Sequence, residues 1–370
     1  MGKIDYFTIT LQKQNAIYMS SENLRGTLSL RVNERLKINS VKMLISGGAR
    51  VHWSESHGSG KNRRTVHYSA YEKYLNFDLV FLSKQPNSDL YLEIGDYSYP
   101  FDIVLPPNLP TSFEHTVGQV RYSLYGTVDI PWAFDKHTTR SFTVVSHLDL
   151  NANPALRQGF GVSDEKVLCC GPCKSDPIIA NFNILKSGYV PGEAIVFNAT
   201  MDNKSSREIK EMSVNLIQVM RFHATRKTRT CVRNVAQIKF PKHVDERTVE
   251  TWQNSVLVIP PVCSSSNGTC RIIEVGYKVV FNFDASGIAV SKDLDIPIVI
   301  GTIPLSLQPS MPAPNIPFTY EGCIFGPNPV DFGNEISGGN NKGETIESDL
   351  NTYKPFYPFY KDFSLNNRNV

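Results

Sequence analysis

The sequence predicts an all-β protein of two tandem immunoglobulin-like antiparallel β-sandwiches, followed by a largely disordered tail. Apolar residues alternate with polar ones in short segments across residues 5–305, as they do in half-buried strands. No stretch of a dozen residues holds a convincing helical apolar period. Residues of the first half also recur in the second half, which indicates a duplicated unit.

Each short alternating segment of the first half predicts one strand. The segment 38–51 is interrupted by Gly47-Gly48, and this pair predicts a bulge or a bend. Such spacing is typical of an antiparallel sandwich with Greek-key-like connections. The predicted strands of this half are 5–11, 26–32, 38–51, 65–82, 89–95, 97–105, 119–130 and 139–149.

A proline-pinned loop separates two of these strands. The strand before it ends at Pro106-Pro107, because proline cannot donate to a strand ladder. Glu114 lies beside His115 in this loop, where a carboxylate and a histidine could form an acid–base pair. The next strand begins at Val120. The polar or aromatic residues of the loop are Ser112, Phe113, Glu114 and His115.

The internal repeat has a constant offset. Tyr18 and Glu22 recur as Tyr189 and Glu193, and the offset is 189 − 18 = 193 − 22 = 171 residues. Apolar positions between the two halves keep the same phase, which is hard to obtain by chance. We therefore predict a sandwich in residues 1–150, a linker in 151–174, a second sandwich in 175–305 and a flexible tail in 306–370.

Composition explains the linker and the tail. The linker is rich in Asn, Pro and Gly and contains Cys169, Cys170 and Cys173. This cysteine spacing could begin a zinc site, but no second Cys or His pair stands at finger spacing, so we expect free thiols and no metal. The tail holds few apolar residues at any period and cannot repay its ordering entropy.

Charge and leader segments limit the function classes. The net charge of +3 on 370 residues is too small to favour nucleic acid as a partner. No secretory leader and no apolar run of about 18 residues is present, so we expect a cytoplasmic protein. Phosphate-loop, dinucleotide, nucleophile-elbow and zinc-protease motifs are absent from the sequence, so we expect no catalytic residues and no cofactor.

Segments from both halves are similar to one known family. They resemble the arrestin fold and, more narrowly, the α-arrestins or arrestin-domain-containing proteins. The similarity extends from about residue 5 to residue 305. The segments include Gly26-x-Leu-x-Leu, Gly48-Ala-x-Val-x-Trp53, Leu109-Pro-Thr-Ser-Phe-Glu114, Gly188-Tyr-x-Pro-Gly-Glu193 and Pro297-Ile-Val-Ile-Gly-Thr-Ile-Pro-Leu305.

This resemblance implies a non-enzymatic adaptor in protein transport, endocytosis and signalling. It also implies that Glu114 anchors its loop rather than forming half of a catalytic acid–base pair. Such a protein docks on the cytosolic parts of membrane receptors or transporters, at the plasma membrane or at endosomes. The α-arrestins also recruit HECT-type ubiquitin ligases, whose WW domains bind Pro-Pro-x-Tyr motifs in the tail. The present tail departs from this pattern, because the segments most similar to Pro-Pro-x-Tyr lack the first proline. This loss weakens binding to a WW domain. The candidate residues are Pro355, Phe356, Tyr357, Pro358, Phe359 and Tyr360.

An alternative function follows from a second branch of the same family. The thioredoxin-interacting-protein-like branch holds thioredoxin through a cysteine, and Cys270 lies near the matching place. This chain would then be a redox-linked thioredoxin-binding inhibitor. Only Arg271 nearby could lower the pKa of the thiol, and a cysteine at a strand end is more often simply packed.

Two basic clusters remain. Arginine-rich hairpin tips commonly protect a sheet edge from pairing with another sheet. The alternative is an anion-binding surface for phosphorylated receptor tails or acidic lipids, because arginine pairs bidentately with phosphate. The first cluster consists of Lys61, Arg63 and Arg64, and the second of Arg226, Lys227 and Arg229.

Overall fold

Two β-sandwiches follow each other along the chain, which confirms the predicted fold class. The computed structural model describes residues 3–167, 176–241, 243–285, 292–306, 316–325, 343–350 and 352–361. Within these ranges the regular structure consists of strands and three short 3-10 turns. Most strand pairs are antiparallel. The parallel pairs are Ile17–Met19 with Asp135–Val145, Gly188–Tyr189 with Lys292–Ile300, and Gly343–Ser348 with Asp135–Val145.

The first domain has a three-stranded sheet facing a larger one. The first sheet has the order β1-β3-β8, and the second has the order β2-β11-β10-β5-β6, with β9 added to β10. A separate pair joins β4 to β7. The strands are β1 (Ile4–Leu11), β2 (Ile17–Met19), β3 (Asn23–Val32), β4 (Leu36–Ile38), β5 (Ser40–His57), β6 (Arg64–Ser83), β7 (Leu90–Leu92), β8 (Gly95–Val104), β9 (Phe113–His115), β10 (Gly118–Asp129) and β11 (Asp135–Val145).

The second domain repeats this plan. Its sheets have the orders β12-β13-β15-β18 and β14-β20-β19-β16-β17. The strands are β12 (Phe160–Lys166), β13 (Ile178–Ile184), β14 (Gly188–Tyr189), β15 (Ala194–Asn203), β16 (Ile209–His223), β17 (Thr228–Lys239), β18 (Thr248–Val258), β19 (Ile273–Ala285) and β20 (Lys292–Ile300).

The same set of side-chain contacts occurs in both domains, which supports the duplication directly. In the first domain the Lys13 ammonium lies 5.1 Å from the ring centroid of Tyr18 and pairs with Glu22, whose other oxygen accepts from the Met19 amide at 2.9 Å. The 5.1 Å separation and the carboxylate pair both recur in the second domain. The equivalent residues there are Lys186, Tyr189 and Glu193.

A buried tyrosine also holds the same loop in each domain. The Tyr122 hydroxyl donates to the carbonyl of Pro110 at 2.7 Å, and the Tyr277 hydroxyl donates to the carbonyl of Cys263 at 2.7 Å. Both rings are almost completely buried. A buried hydroxyl needs a partner, so each tyrosine fixes the loop that runs over its own sandwich.

The predicted bulge in the long first-domain strand is confirmed. The pairing of β5 with β6 shifts register between Gly47 and Gly48. A Cβ atom on Gly47 would lie 2.6 Å from Cε1 of the Tyr122 ring, so the strand can cross this ring only without a side chain. The bulge therefore lets a large buried ring lie directly against the backbone.

Part of the predicted linker is instead structured. Residues 160–166 form β12, which pairs antiparallel with β13 at the edge of a second-domain sheet. Two 3-10 turns, Leu150–Ala152 and Pro154–Arg157, lead into it. A short strand with little alternating apolar character was not recognisable in the sequence. The cysteines of this segment, Cys169, Cys170 and Cys173, lie outside the described residues.

Parts of the tail also pack against the body, contrary to the expectation of a flexible tail throughout 306–370. Residues 316–325, 343–350 and 352–361 contain β21 (Thr319–Gly322), β22 (Gly343–Ser348) and β23 (Phe356–Phe359). Strand β22 extends the first domain alongside β11, and β21 pairs with β23. The low apolar content of the tail had argued that burial could not offset the conformational entropy lost on ordering. The burial of tail tyrosines against both domains supplies that stabilisation.

The aromatic core of the second domain gives a test of the packing. Phe281 is fully buried, with ring centroids 5.6 Å from Phe182 and 6.0 Å from Phe240. We expect Phe281→Ala to lower the free energy of unfolding by about 3–5 kcal/mol, measured by urea denaturation. The control is the exposed residue Val232 on the edge strand β17. Val232→Ala should change the free energy of unfolding by less than about 0.5 kcal/mol. Equal losses for both variants would contradict this core.

Candidate partner-binding seam between the two domains

The two domains meet along a surface, called the seam below, that is centred on residues 110–115. The sequence predicted a loop here, but Phe113–His115 form the short strand β9, which pairs with β10. The whole segment is called the loop 110–115. The amide of Leu148 donates to Oγ1 of Thr302 at 2.8 Å across this boundary. Oγ of Ser264 lies 3.4 Å from Oγ1 of Thr111. Groups from residues more than 150 positions apart therefore hold the domains together.

The loop 110–115 is fixed from the side of the first domain. The amide of Ser112 donates to the carbonyl of Val144 at 2.8 Å, and the amide of Val144 donates to Oγ of Ser112 at 3.0 Å. Ser112 is fully buried. These bonds and the Tyr122 hydroxyl bond leave the Ser112 carbonyl available to a group that enters from the seam.

A buried ion pair closes the loop. The guanidinium of Arg121 donates to both carboxylate oxygens of Glu114, at 2.5 and 2.8 Å, and their side chains are 10% and 2% exposed. Burial raises the pKa of the Glu114 carboxyl, and the Arg121 charge opposes this rise. Removing one partner of such a pair leaves an uncompensated buried charge, so the geometry fits the predicted anchoring role of Glu114.

His115 extends the loop into the second domain. Its ring stacks on Phe222 with the centroids 4.9 Å apart, and its Nδ1 accepts a hydrogen bond from the amide of Val117 at 3.1 Å. Burial, with a smaller contribution from the positive charges of Arg233 and Arg229, lowers the pKa of His115 to about 4. The neutral ring is therefore the form that packs in the seam at neutral pH.

The tail reaches the seam after passing along the first domain. The amide of Ser141 donates to the Asp349 carboxylate at 2.8 Å, and the tail strand before it runs parallel to β11. The Tyr353 hydroxyl then donates to the carbonyl of Phe142 at 3.3 Å and lies 3.2 Å from Oγ1 of Thr143. The first domain thus holds the tail up to Tyr353.

Two further tail tyrosines enter the seam itself. The Tyr357 hydroxyl donates to the carbonyl of Ser112 at 2.9 Å, and the Tyr360 hydroxyl donates to the carbonyl of Thr302 at 2.8 Å. These two tyrosines are 2% and 4% exposed. Ser112 belongs to the first domain and Thr302 ends the second, so a stretch of four residues connects both.

The backbone of the tail makes an equally close approach. The amide of Tyr360 donates to the carbonyl of Pro191 at 3.0 Å. Gly192 follows with φ +92°, and a Cβ atom there would lie 2.8 Å from the carbonyl carbon and from the amide nitrogen of Tyr360. Only glycine combines this conformation with this approach.

All six residues of the predicted WW-like motif lie at this place. Pro355, Tyr357, Pro358 and Tyr360 are buried, Phe359 is half-buried and Phe356 is 39% exposed. Binding of a WW domain to this motif stays a prediction. In the conformation described, the tyrosines that such a domain would grip face the seam.

The two basic clusters, considered separately in the sequence, lie at neighbouring hairpin tips. Lys227 pairs with Glu55 at 2.5 Å, and the amide of Thr225 donates to the carbonyl of Ser69 at 3.4 Å. Strands β6 and β17 are both sheet edges, as the edge-protection interpretation expected. Arg63, Arg64, Arg226 and Arg229 are exposed on this side, whereas the side chain of Lys61 lies outside the described residues.

Cys270 has the environment of a packed thiol. It is 8% exposed, and its sulfur accepts a hydrogen bond from the amide of Ile273 at 3.3 Å. Burial raises the pKa of the Cys270 thiol, which is the opposite of what a reactive thiol needs, although the Tyr74 hydroxyl opposes this rise. The geometry therefore gives no support to the thioredoxin-binding alternative.

In the ranges that the structure describes, Glu208, His243 and Asp245 bring three possible metal-ligand atoms within 4.8 Å of one another. Nε2 of His243 lies 3.5 Å from the Glu208 carboxylate and 3.6 Å from the Asp245 carboxylate, and Glu208 is half-buried whereas the other two residues are exposed. Among the described helical segments, none has the length and apolar character needed to cross a bilayer.

The buried histidine predicts a pH dependence. The pKa of His115 is about 4 in the folded chain and about 6.5 when unfolded, so the unfolded state takes up the proton first as the pH falls. The stabilisation is complete above about pH 6.5 and is lost towards pH 4. We expect the difference in unfolding free energy between the wild-type protein and His115→Asn to shrink from about pH 7.5 to about pH 5. A constant difference would contradict this assignment.

The close approach at Gly192 predicts that tail docking can be switched off. In Gly192→Ala, the new Cβ would overlap the backbone of Tyr360, so residues 352–361 should exchange their amide hydrogens at least about tenfold faster. Gly268→Ala is the matched control, because Gly268 also has positive φ (+83°) but no atom within 4 Å of its Cβ position. Equal exchange of the tail in both variants would argue against this docking.

Comparisons with known proteins agree with this architecture. Residues 7–151 match the N-terminal domain of arrestin (or S-antigen), and residues 174–305 match its C-terminal domain. The chain is 30% identical to human arrestin domain-containing protein 4 over 79% of its own length and 70% of that protein.

More distant relatives cover a similar range. Arrestin domain-containing protein 17 of Caenorhabditis elegans is 28% identical over 82% of this chain and 72% of that protein, and mouse arrestin domain-containing protein 1 is 25% identical over 85% and 68%. Two matching domain models, two sandwiches in tandem and this similarity lead to one conclusion. The chain belongs to the arrestin family, and its relatives are arrestin domain-containing proteins.

Proposed function

We propose that this chain is a non-enzymatic adaptor. It contacts cytosolic parts of membrane receptors or transporters through its two domains and links them to ubiquitination, endocytosis and protein-transport machinery. Membership of the arrestin family supports an adaptor role in general terms. The observation that carries the specific proposal is the position of the tail motif, which is held by both domains at once.

The position of the motif gives the adaptor a simple mechanism. Tyr357 bonds to the first domain and Tyr360 to the second, so a cargo segment that changes the fit of the domains weakens both bonds together. The released segment can then adopt the extended proline-rich conformation that a WW domain of a HECT-type ligase binds. The missing first proline keeps this affinity low, so several contacts are needed for stable capture.

The exposed basic side chains support a role in cargo contact. Arg63 and Arg226 lie at neighbouring hairpin tips of different domains, so one acidic or phosphorylated segment could bind both tips. Arginine forks bind phosphate through two parallel hydrogen bonds. In the proposed adaptor, this surface recognises the cargo, and the seam controls access to the tail. Recruitment to the plasma membrane or to endosomes then follows the cargo.

A binding assay with a HECT-ligase WW-domain array tests the role of the tail. We expect weak capture of the wild-type chain, capture about tenfold stronger for Gly192→Ala, and loss of this gain when Tyr357→Ala and Tyr360→Ala are added. Gly268→Ala is the control and should behave as wild type. Capture that is insensitive to the tyrosine substitutions would remove the tail from the mechanism.

A further inference from the structure

A hydrogen-bonded loop at one end of the first domain presents two aromatic side chains to solvent. It connects β10 to β11 and runs from Ile130 to Asp135. Trp132 is 105% exposed and Phe134 is 67% exposed, the two largest exposures among aromatic side chains in the described ranges. Exposing two large apolar rings two residues apart in one loop is unfavourable in water, which marks a contact surface.

The loop holds these rings outward by its own hydrogen bonds. The amide of Ile130 donates to the Asp135 carboxylate at 3.1 Å, and the amide of Ala133 donates to the carbonyl of Ile130 at 3.4 Å. Trp132 has φ +62°, a left-handed conformation that is rare for a bulky residue. Because these two hydrogen bonds close the turn, the Trp132 ring lies in solvent rather than packing back on the sheet.

Two exposed lysines lie near the base of this loop. Lys84 lies next to it, since its amide donates to the carbonyl of Asn39, whose own amide donates to the carbonyl of Asp129. Lys42 lies on the neighbouring strand opposite Thr127, and both lysine side chains are exposed. The nearby Asp129 carboxylate is engaged by the side-chain amide of Asn39 at 2.7 Å, as the Asp135 carboxylate is by the loop itself.

Aromatic rings above a basic rim match the chemistry of a bilayer surface. Tryptophan prefers the interface between acyl chains and headgroups, because its ring is apolar and its indole N–H is polar. Lysines set back from the tip lie where the phosphates of anionic lipids would be. A protein pocket would also accept the rings, but it gives no reason for a rim of exposed cations.

We propose that the loop Ile130–Asp135 is a membrane-contact tip, in which Trp132 and Phe134 enter the headgroup region of an anionic bilayer and Lys42 and Lys84 face its phosphates. This goes beyond the adaptor role, because the contact is with lipid and needs neither cargo nor the tail. Its test is therefore independent of the WW-domain assay.

Vesicle sedimentation with the full chain tests the proposal. We expect binding to vesicles of phosphatidylcholine with phosphatidylserine, and a loss of roughly tenfold in Trp132→Ala with Phe134→Ser. Lys42→Glu with Lys84→Glu should weaken binding to these vesicles by a similar factor. The control is Val232→Ala with Val256→Ala, which removes exposed apolar side chains elsewhere and should bind as wild type.

Fluorescence and self-association complete the test. Trp53 is buried and Trp252 stacks on Phe240 with the centroids 4.1 Å apart, so a blue shift on adding vesicles reports Trp132 entering lipid. Absence of vesicle binding by the wild-type chain, or equal binding by the aromatic double variant, would overturn the proposal. Self-association in solution that is lost in Trp132→Ala, without vesicle binding, would assign the tip to a second copy instead.

Discussion

The hydroxyl of Tyr357 and the carbonyl of Ser112 meet inside the molecule, and much of the arrangement of the domains depends on such bonds. A buried hydroxyl without a partner costs about 1–3 kcal/mol, so each tail tyrosine can enter the seam only where an acceptor faces it. The Ser112 carbonyl faces the seam because Ser112 is bonded to Val144 on both its amide and its hydroxyl. The order of the tail thus depends on the order of the loop 110–115.

Duplication explains why two similar domains can share one tail. Each sandwich contains the same Lys–Tyr–Glu contacts beside a parallel strand pair, and each fixes a loop through a buried tyrosine hydroxyl. The two fixed loops face each other at the seam, where Thr111 meets Ser264. The duplicated unit has therefore placed two hydrogen-bonded loops at the seam, where Tyr357 and Tyr360 of the tail pack.

The candidate site was only partly predictable. The resemblance of the segment around Glu114 to a family loop indicated an anchoring role, which the buried pair of Glu114 with Arg121 fits. The tail motif was recognised at Tyr357 and Tyr360, but its burial was not, because low apolar content argued for disorder. The dense run of aromatics at 353–360 was the one available signal, since aromatic rings bury much area per residue. The exposure of Trp132 had no signal in the sequence.

Local alternation by itself determined most strands of the two tandem sandwiches and the irregularity at Gly47-Gly48, because the pleat gives a strand its period of two within a few residues. It did not determine β12, which has little alternating apolar character. A constant offset determined the duplication. Only the tertiary structure decided that the tail lies in the seam, that the hairpin tips at Arg63 and Arg226 are neighbours, and that the Cys270 thiol is buried. These features join groups far apart in the chain, such as the 245 positions between Ser112 and Tyr357, and they depend on which surfaces the folded domains leave uncovered.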